Sequence, residues 1–344
     1  MPRVGGMAHA ILVSKNDKGE LSPALVEPGT NGAPDAAELE GDGDVLVEVT
    51  HSSLNYKDAL ALGGSAQIVR RPPLVAGIDA VGTVLEATGE AAERFSPGDS
   101  VTLNGEGLGE THHGGYQTRL RLPAEKLLRL PEGIDRWHAA AIGTAGYTAA
   151  LSVNALAERV EPGDGTIVLT GATGGVGSVA LALLSTLGYR VAAVTGRREE
   201  YGDYLTGLGA AEILDRAEFS EQGKPLQSAR FAGGVDTVGS HTLVNVLAQV
   251  QWGGTVTACG MAQGNDLPGT VIPFILRSVH LAGIDSVTAP LPVREAAWET
   301  LAKHLDLDVL EGLSQTIGLG EVIDAGEKLL AGQWHGRTVV DVAD

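Results

Sequence analysis

Only one cysteine, Cys259, stands in the 344 residues of this chain. With no second thiol an intramolecular disulfide is impossible, and a multi-cysteine zinc site is excluded. Aromatic residues are scarce at 4%, too few for the stacking platforms that hold single-stranded nucleic acid. Basic residues are in deficit. Lys and Arg number 24 against 43 Asp and Glu, a formal charge of −19, which disfavours nucleic acid and anionic membrane surfaces as partners. Long apolar runs are missing too: no stretch reaches membrane-spanning length, and Met1-Pro2-Arg3-Val4-Gly5-Gly6-Met7 lacks the apolar core of a signal peptide. A cytoplasmic protein that binds neither nucleic acid nor membrane is expected.

Glycine, by contrast, is abundant at 48 residues, and one cluster carries chemistry. Val168-Leu169-Thr170-Gly171-Ala172-Thr173-Gly174-Gly175-Val176-Gly177-Ser178 joins an apolar strand-like run to an apolar helix-like run. Strand, glycine turn and helix in that order aim backbone N–H groups and the positive end of a helix dipole at one point, which suits a phosphate. Gly171, Thr173, Gly174, Gly175, Val176 and Gly177 are therefore candidate contacts to a dinucleotide. The spacing is Gly-x-x-Gly-x-x-Gly, so an ordinary glycine-rich turn is the alternative. Tyr189 to Thr195 reads as the next strand and completes a β-α-β unit. An NAD site would place a carboxylate at the end of that strand; here it ends Thr195-Gly196-Arg197-Arg198. Thr195, Gly196 and Arg197 suit a 2′-phosphate, because a guanidinium donates two parallel hydrogen bonds to it. NADP(H) is thus expected over NAD(H). The alternative is a solvated arginine pair balanced by Glu199 and Glu200.

The length predicts two domains. Strands are expected at Ala8–Val13, Val45–Ser52, Gly82–Leu85, Ser100–Leu103 and Tyr116–Leu122, with turn chemistry such as Pro28-Gly29 and Asn31-Gly32 filling the space between the first two. Near Trp137 the texture changes. An alanine-rich helix over 139–159, broken by Gly143 and Gly146, leads into alternating strands and helices, the signature of a doubly wound parallel sheet. Strand 279–284, helix 293–305, strand 315–317, helix 321–330 and strand 338–342 complete the chain. The fold class is α/β: a β-rich domain over 1–136 and 307–344, and a dinucleotide-binding domain over 137–306, with ligands expected between them.

The chain as a whole resembles the medium-chain dehydrogenase/reductase superfamily. Within it, the chain is most similar to the YhdH-type quinone oxidoreductases, the acryloyl-CoA reductase group, which are zinc-independent. The resemblance runs from about Ala8 to Val342. Its particular segments are Ser52-Ser53-Leu54-Asn55-Tyr56-Lys57-Asp58, Gly77-Ile78-Asp79, Ile142-Gly143-Thr144-Ala145-Gly146, Asp236-Thr237-Val238-Gly239, Pro273-Phe274-Ile275-Leu276-Arg277-Ser278-Val279 and Gly336-Arg337-Thr338. It implies a GroES-like catalytic domain beside a Rossmann domain. Zinc members place a ligating Cys near Asn55-Tyr56 and a Gly-His-Glu near Gly77; neither thiolate nor imidazole stands there, so no metal is expected. Without a Lewis acid, the easier chemistry is hydride addition to an activated C=C bond.

The implied reaction is NADPH-dependent reduction of acryloyl-CoA to propanoyl-CoA, the oxyanion needing positioned donors and the α-carbon a proton. Tyr56 is the first candidate to contact nicotinamide and substrate, with a structural tyrosine that orients the cofactor as the alternative. Asn55 is a candidate amide donor, while Lys57 and Asp58, adjacent opposite charges, are expected to fix the loop. Arg216 is a candidate beside the adenosine phosphate, or else a surface residue. Cys259 and Gly260 follow a strand and are candidates to line the nicotinamide ribose. His112 and His113 read as loop residues. Arg70 and Arg71 are either an exposed pair or contacts to CoA phosphates. A candidate edge strand stands at 281–287, and the resemblance implies that such edges pair across a two-fold axis, so a homodimer is expected. Two other readings stay open: an NADPH:quinone oxidoreductase, and a non-catalytic NADPH-binding redox sensor.

Overall fold

A computed structural model describes residues 9–30 and 32–343. The expectations on Met1–Met7, Ala8 and Asn31 lie outside these residues. Two compact units emerge: one comprises Met1–Thr144, Val287–Pro292 and Ser314–Asp344, the other Ala145–Ser286 and Val293–Leu313.

The first unit is built on strands. In Val45–Ser53, Val45, Leu46, Val47 and Val49 are buried while Glu48 is exposed, so most of the strand lies in a core. This strand is the hub of a seven-stranded sheet. Its path runs Ser314–Gly318, Arg337–Asp341, Val45–Ser53, Asp79–Ala87, Ser100–Asn104, Leu128–Arg129, and Arg119–Leu122 also pairs with the hub. The C-terminal strand Arg337–Asp341 lies antiparallel to Val45–Ser53, with Val339 opposite Ser53. Leu103, Tyr116, Leu120, Val322 and Val340 are among the buried residues of one continuous core.

A smaller sheet pairs Leu21–Val26, Ala10–Lys15 and Leu74–Val75. The strand Leu21–Val26 falls in a segment expected to be all turns. Pro23 reads as a breaker, yet an edge strand tolerates it because its missing N–H would only face away from the ladder. Three short α-helices of this unit were also not expected, Ala91–Arg94 among them. Another is Ala36–Glu40, whose N-cap Asp35 accepts from Glu38 N while Asp35 N donates to Glu38; the third is Tyr56–Leu62.

In the second unit six strands run parallel in the order Ala210–Asp215, Arg190–Thr195, Thr166–Leu169, Phe231–Asp236, Val250–Ala258, His280–Gly283. That order reverses direction beside Thr166–Leu169, and ligands of open α/β sheets bind at the C-terminal ends of strands at such a switch point. The edge strand ends at Gly283, shorter than the expected 281–287. The helix Arg136–Ala157 breaks only at Gly143, with φ 48 and ψ −164, and not at Gly146. A side chain at Gly143 would be strained at that φ, and its Cβ would meet Arg337 Nη2 at 2.6 Å and Asp79 Oδ2 at 2.9 Å. Among the described residues no helix is long and apolar enough to cross a membrane.

Candidate functional site

In the second unit, Thr166–Leu169 runs into the glycine turn and then the helix Gly175–Thr186, with Gly174 at its N-cap. Gly175, Val176 and Gly177 therefore form its first turn, where backbone N–H groups have no acceptor within the helix. Ser178 N closes that turn on Gly174 O at 2.8 Å. Gly177 is where helix and turn touch: a Cβ there would stand 2.3 Å from Gly171 O. At Gly174 the nearest neighbour of a Cβ is Gly171 O at 3.3 Å, so the outer side of this turn is open. Thr173 is mostly buried beside it. The turn thus presents backbone N–H groups at a helix start, a geometry that suits an anion.

Next to it, Arg190–Thr195 ends with the Thr195 hydroxyl accepting from Arg197 N at 3.1 Å. Arg216 N donates to Thr195 O at 3.1 Å, and the Arg216 guanidinium lies over Gly196, where a Cβ would meet its Cζ at 3.1 Å. The bare glycine lets that guanidinium settle against the backbone. Arg197 and Arg216 thus flank one strand end, and no acidic side chain follows Thr195 within two residues. Two guanidiniums make this strand end a set of charged donors of the kind that suits a phosphate.

The switch point is held by a residue that composition did not single out. Asp236 is fully buried. Its Oδ1 accepts from Thr170 Oγ1 at 2.7 Å and its Oδ2 from Gly239 N at 2.7 Å, while Thr237 N donates to Thr170 Oγ1 at 3.0 Å. Burial pushes this carboxyl up against those donors. A lone Asp closing an apolar strand was the available signal. Cys259 follows Val250–Ala258, and its Sγ donates to Asp236 O at 3.5 Å. Burial pushes the thiol up to about 12, so it is neutral at physiological pH and no nucleophile. Gly260 packs so tightly that a Cβ would meet Thr237 O at 1.9 Å.

In the first unit Tyr56 opens the helix Tyr56–Leu62 and is 54% exposed, so its phenol is free to meet a ligand. Asn55, the N-cap, is different. Its amide nitrogen donates to Asp79 Oδ2 at 2.8 Å and to Asp58 Oδ2 at 2.9 Å, and its Oδ1 accepts from Arg337 Nη1 at 3.3 Å. An amide so engaged holds the helix start in place and offers substrate no open donor. Asp79, 0% exposed, is the hub of this network. Ser53 Oγ, Asn55 Nδ2 and Thr144 N donate to its Oδ2, while Asn104 Nδ2 and Thr144 Oγ1 donate to its Oδ1. Arg337 Nε donates to Ala141 O at 2.7 Å. Asp79 and Arg337 lie 258 positions apart in sequence, so only the sheet pairing of Arg337–Asp341 with Val45–Ser53 makes them neighbours.

Lys57 and Asp58 do not pair with each other, since successive residues of a helix point apart. Lys57 instead binds Glu110 at 2.8 Å, which Arg70 also approaches at 3.5 Å. His113 serves the loop: its Nδ1 accepts from Val75 N at 3.1 Å.

Asp58 accepts from Asn55 N at 2.9 Å and Ile78 N at 2.8 Å. Burial, aided by the Asp79 charge, nevertheless pushes its carboxyl up to about 7. Raised above its ordinary value of 3.8, Asp58 contributes stability that is fully present below that value and lost as pH rises through about 7. Thermal midpoints should therefore fall between pH 5 and 8. Asp58→Asn should flatten that slope even while lowering stability, since its amide must face a donor. An unchanged slope in the variant would refute the assignment.

The zinc-ligand positions of the wider superfamily are filled here by hydrogen-bonding groups. Among the described residues no three His, Cys, Asp or Glu side chains are grouped to hold a metal ion, and every oxygen of Asp79 is already committed to donors.

Two family descriptions match: Alcohol dehydrogenase GroES-like domain at residues 41–132, and Zinc-binding dehydrogenase at 175–305. The chain is 46% identical over 339 residues to the acrylyl-CoA reductase AcuI of Ruegeria pomeroyi, covering 98% of this chain and 99% of that one. The chain belongs to that family. It is the YhdH-type branch of the medium-chain dehydrogenase/reductase superfamily, a group of oxidoreductases with a GroES-like and a Rossmann-type domain. This branch also includes the putative quinone oxidoreductase YhfP of Bacillus subtilis, 40% identical over 306 residues, covering 88% of this chain and 91% of that one. The solved YhdH oxidoreductase of Salmonella enterica, in complex with NADP, superposes with a TM-score of 0.90 at 43% identity, covering 97% of this chain and 99% of that one. The Bacillus protein was solved with NAD bound, with a TM-score of 0.88 at 38% identity, covering 98% of this chain and all 100% of that one.

Proposed function

We propose that this chain is an NADPH-dependent reductase of activated C=C bonds that converts acryloyl-CoA to propanoyl-CoA without a metal. The observation that carries the reading is the strand end Thr195-Gly196-Arg197 with Arg216 beside it, in a chain similar end to end to an acrylyl-CoA reductase. NADPH, when bound, supplies the hydride for the β-carbon. The residues present fit it: the first-turn N–H groups of Gly175, Val176 and Gly177 receive the pyrophosphate, and Arg197 and Arg216 receive the 2′-phosphate. Gly171, Gly174 and Thr173 shape the turn, and Gly260 keeps the backbone after its strand close to Thr237. Cys259 is a lining residue.

Tyr56 takes the chemical role. Its exposed phenol donates to the thioester oxygen, where charge develops as the β-carbon is reduced. Asn55 acts through it, holding the helix start that presents it. A single cysteine fits a reducing, cytoplasmic setting. The edge strand His280–Gly283 and the exposed Val271, Ile275 and Leu276 support a homodimer joined along that edge; a sedimentation mass of one chain would refute it.

Steady-state NADPH oxidation decides the substrate. Acryloyl-CoA should be turned over much faster than a small quinone. Turnover of quinone alone would overturn this reading in favour of a quinone oxidoreductase, the activity suggested by the name of the Bacillus relative. NADPH binding with neither turnover would favour a non-catalytic redox sensor.

A further inference from the structure

The arginine expected to read the 2′-phosphate is not left to wave in solvent. Its guanidinium lies over the ring of Tyr201, 4.4 Å from the centroid, and its Nη1 donates to the Tyr201 hydroxyl at 3.3 Å. Tyr201 sits in the helix Arg198–Gly207 and is only 7% exposed. The same hydroxyl is hydrogen-bonded to Glu200. The ring in turn packs edge-on against Tyr204, with centroids 6.3 Å apart and planes at 73°. Tyr204 donates to Ser178 Oγ at 2.8 Å, and Ser178 Oγ donates to Gly174 O at 2.8 Å. One chain of contacts thus runs from Arg197 to the cap of the glycine turn.

We propose that Tyr201 is a positioning residue for cofactor choice: its ring and hydroxyl hold Arg197 in the pose that receives the 2′-phosphate, and Tyr204 and Ser178 tie that pose to the pyrophosphate cradle. An arginine has a long side chain, and ordering it on a ligand costs rotamer freedom. A cation held against an aromatic face before binding has already lost that freedom. A guanidinium carries five N–H donors in a planar fork, of which Nη1 meets the Tyr201 hydroxyl, and that fork is the geometry that meets a phosphate at two points. Seven positions separate Ser178 from Gly171 in the turn, but Tyr204 reaches it from the next helix. The two subsites therefore share a wall. This inference rests on the NADPH reading above.

Dissociation constants for NADPH and NADH, read by cofactor fluorescence, test it in the full chain. Tyr201→Leu should weaken NADPH about fivefold, the scale of a partly buried cation–π contact, and leave NADH within about twofold. Tyr201→Phe, which keeps the ring and loses the hydroxyl, should fall between the parent and Tyr201→Leu. A residue that merely packs the helix would weaken both cofactors alike, and such parallel loss overturns the inference. So does a parent preference for NADPH that survives intact in Tyr201→Leu. Should Tyr201→Leu fail to fold, Tyr201→Phe decides alone: unchanged NADPH affinity in it overturns the proposal. Equal affinities for the two cofactors in the parent would overturn the NADPH reading itself, and this inference with it.

Discussion

Arg337→Met should lower the stability of the chain by about 3–5 kcal/mol, the cost of removing one partner from a buried ionic cluster. Arg337 is 2% exposed. Burial pulls its guanidinium down, and the charges of Asp79 and Asp58 oppose that pull. Methionine fills similar volume, but it leaves the buried Asp79 without its neighbouring positive charge and strips Asn55 Oδ1 and Ala141 O of their donors. Because Asn55 caps the helix that begins with Tyr56, turnover should fall along with stability. Arg337→Lys keeps the charge and should recover part of the loss, though without the planar fork that serves two acceptors at once. Urea midpoints of parent and variants measure this. A change below about 1 kcal/mol for Arg337→Met, the range of an exposed ion pair, would show that the cluster is held by its neutral donors alone.

Arg197→Asp should raise the dissociation constant for NADPH about a hundredfold and leave that for NADH almost unchanged. A hydrogen bond to a charged group contributes about 1.5–3 kcal/mol, and the substituted carboxylate adds repulsion toward the 2′-phosphate. The same carboxylate is the group that NAD-binding members of the fold use to accept from the ribose hydroxyls. Parallel loss of both cofactors would instead mean that the Arg198–Gly207 helix had been disturbed. Arg216, settled against Gly196, remains in the variant, so binding should be weakened without being abolished.

Much of this site could be read locally. The glycine turn and the strand end Thr195-Gly196-Arg197 are contiguous in sequence, and their chemistry is backbone geometry plus one adjacent side chain. Local pattern also carried the alternating strands and helices between Thr166 and Leu305, because strands buried on both faces of a parallel sheet read as short continuous apolar runs separated by turns. Where turn chemistry was read without its sheet context, it misled: the segment between the first two strands was expected to be turns, yet Leu21–Val26 within it is an edge strand. Lys57 and Asp58, expected to fix their loop, each do so through a partner elsewhere in the chain, Glu110 for one and the backbone N of Ile78 for the other.

The sequence alone determined that a glycine turn joins a strand to a helix with arginine at the end of the next strand, that no intramolecular disulfide can form, and which family the chain resembles. Those are properties of short segments and of composition, and no distant contact can alter them. Only the tertiary structure decided what Asn55, Asp58, Asp79 and Arg337 do, and that Tyr201 stands under Arg197. Asp79 meets partners from Ser53 to Thr144, and the neighbouring Arg337 enters on the last strand. A buried charge takes its role from whichever groups the fold brings within hydrogen-bond reach, and those groups come from strands that pair across most of the chain's length.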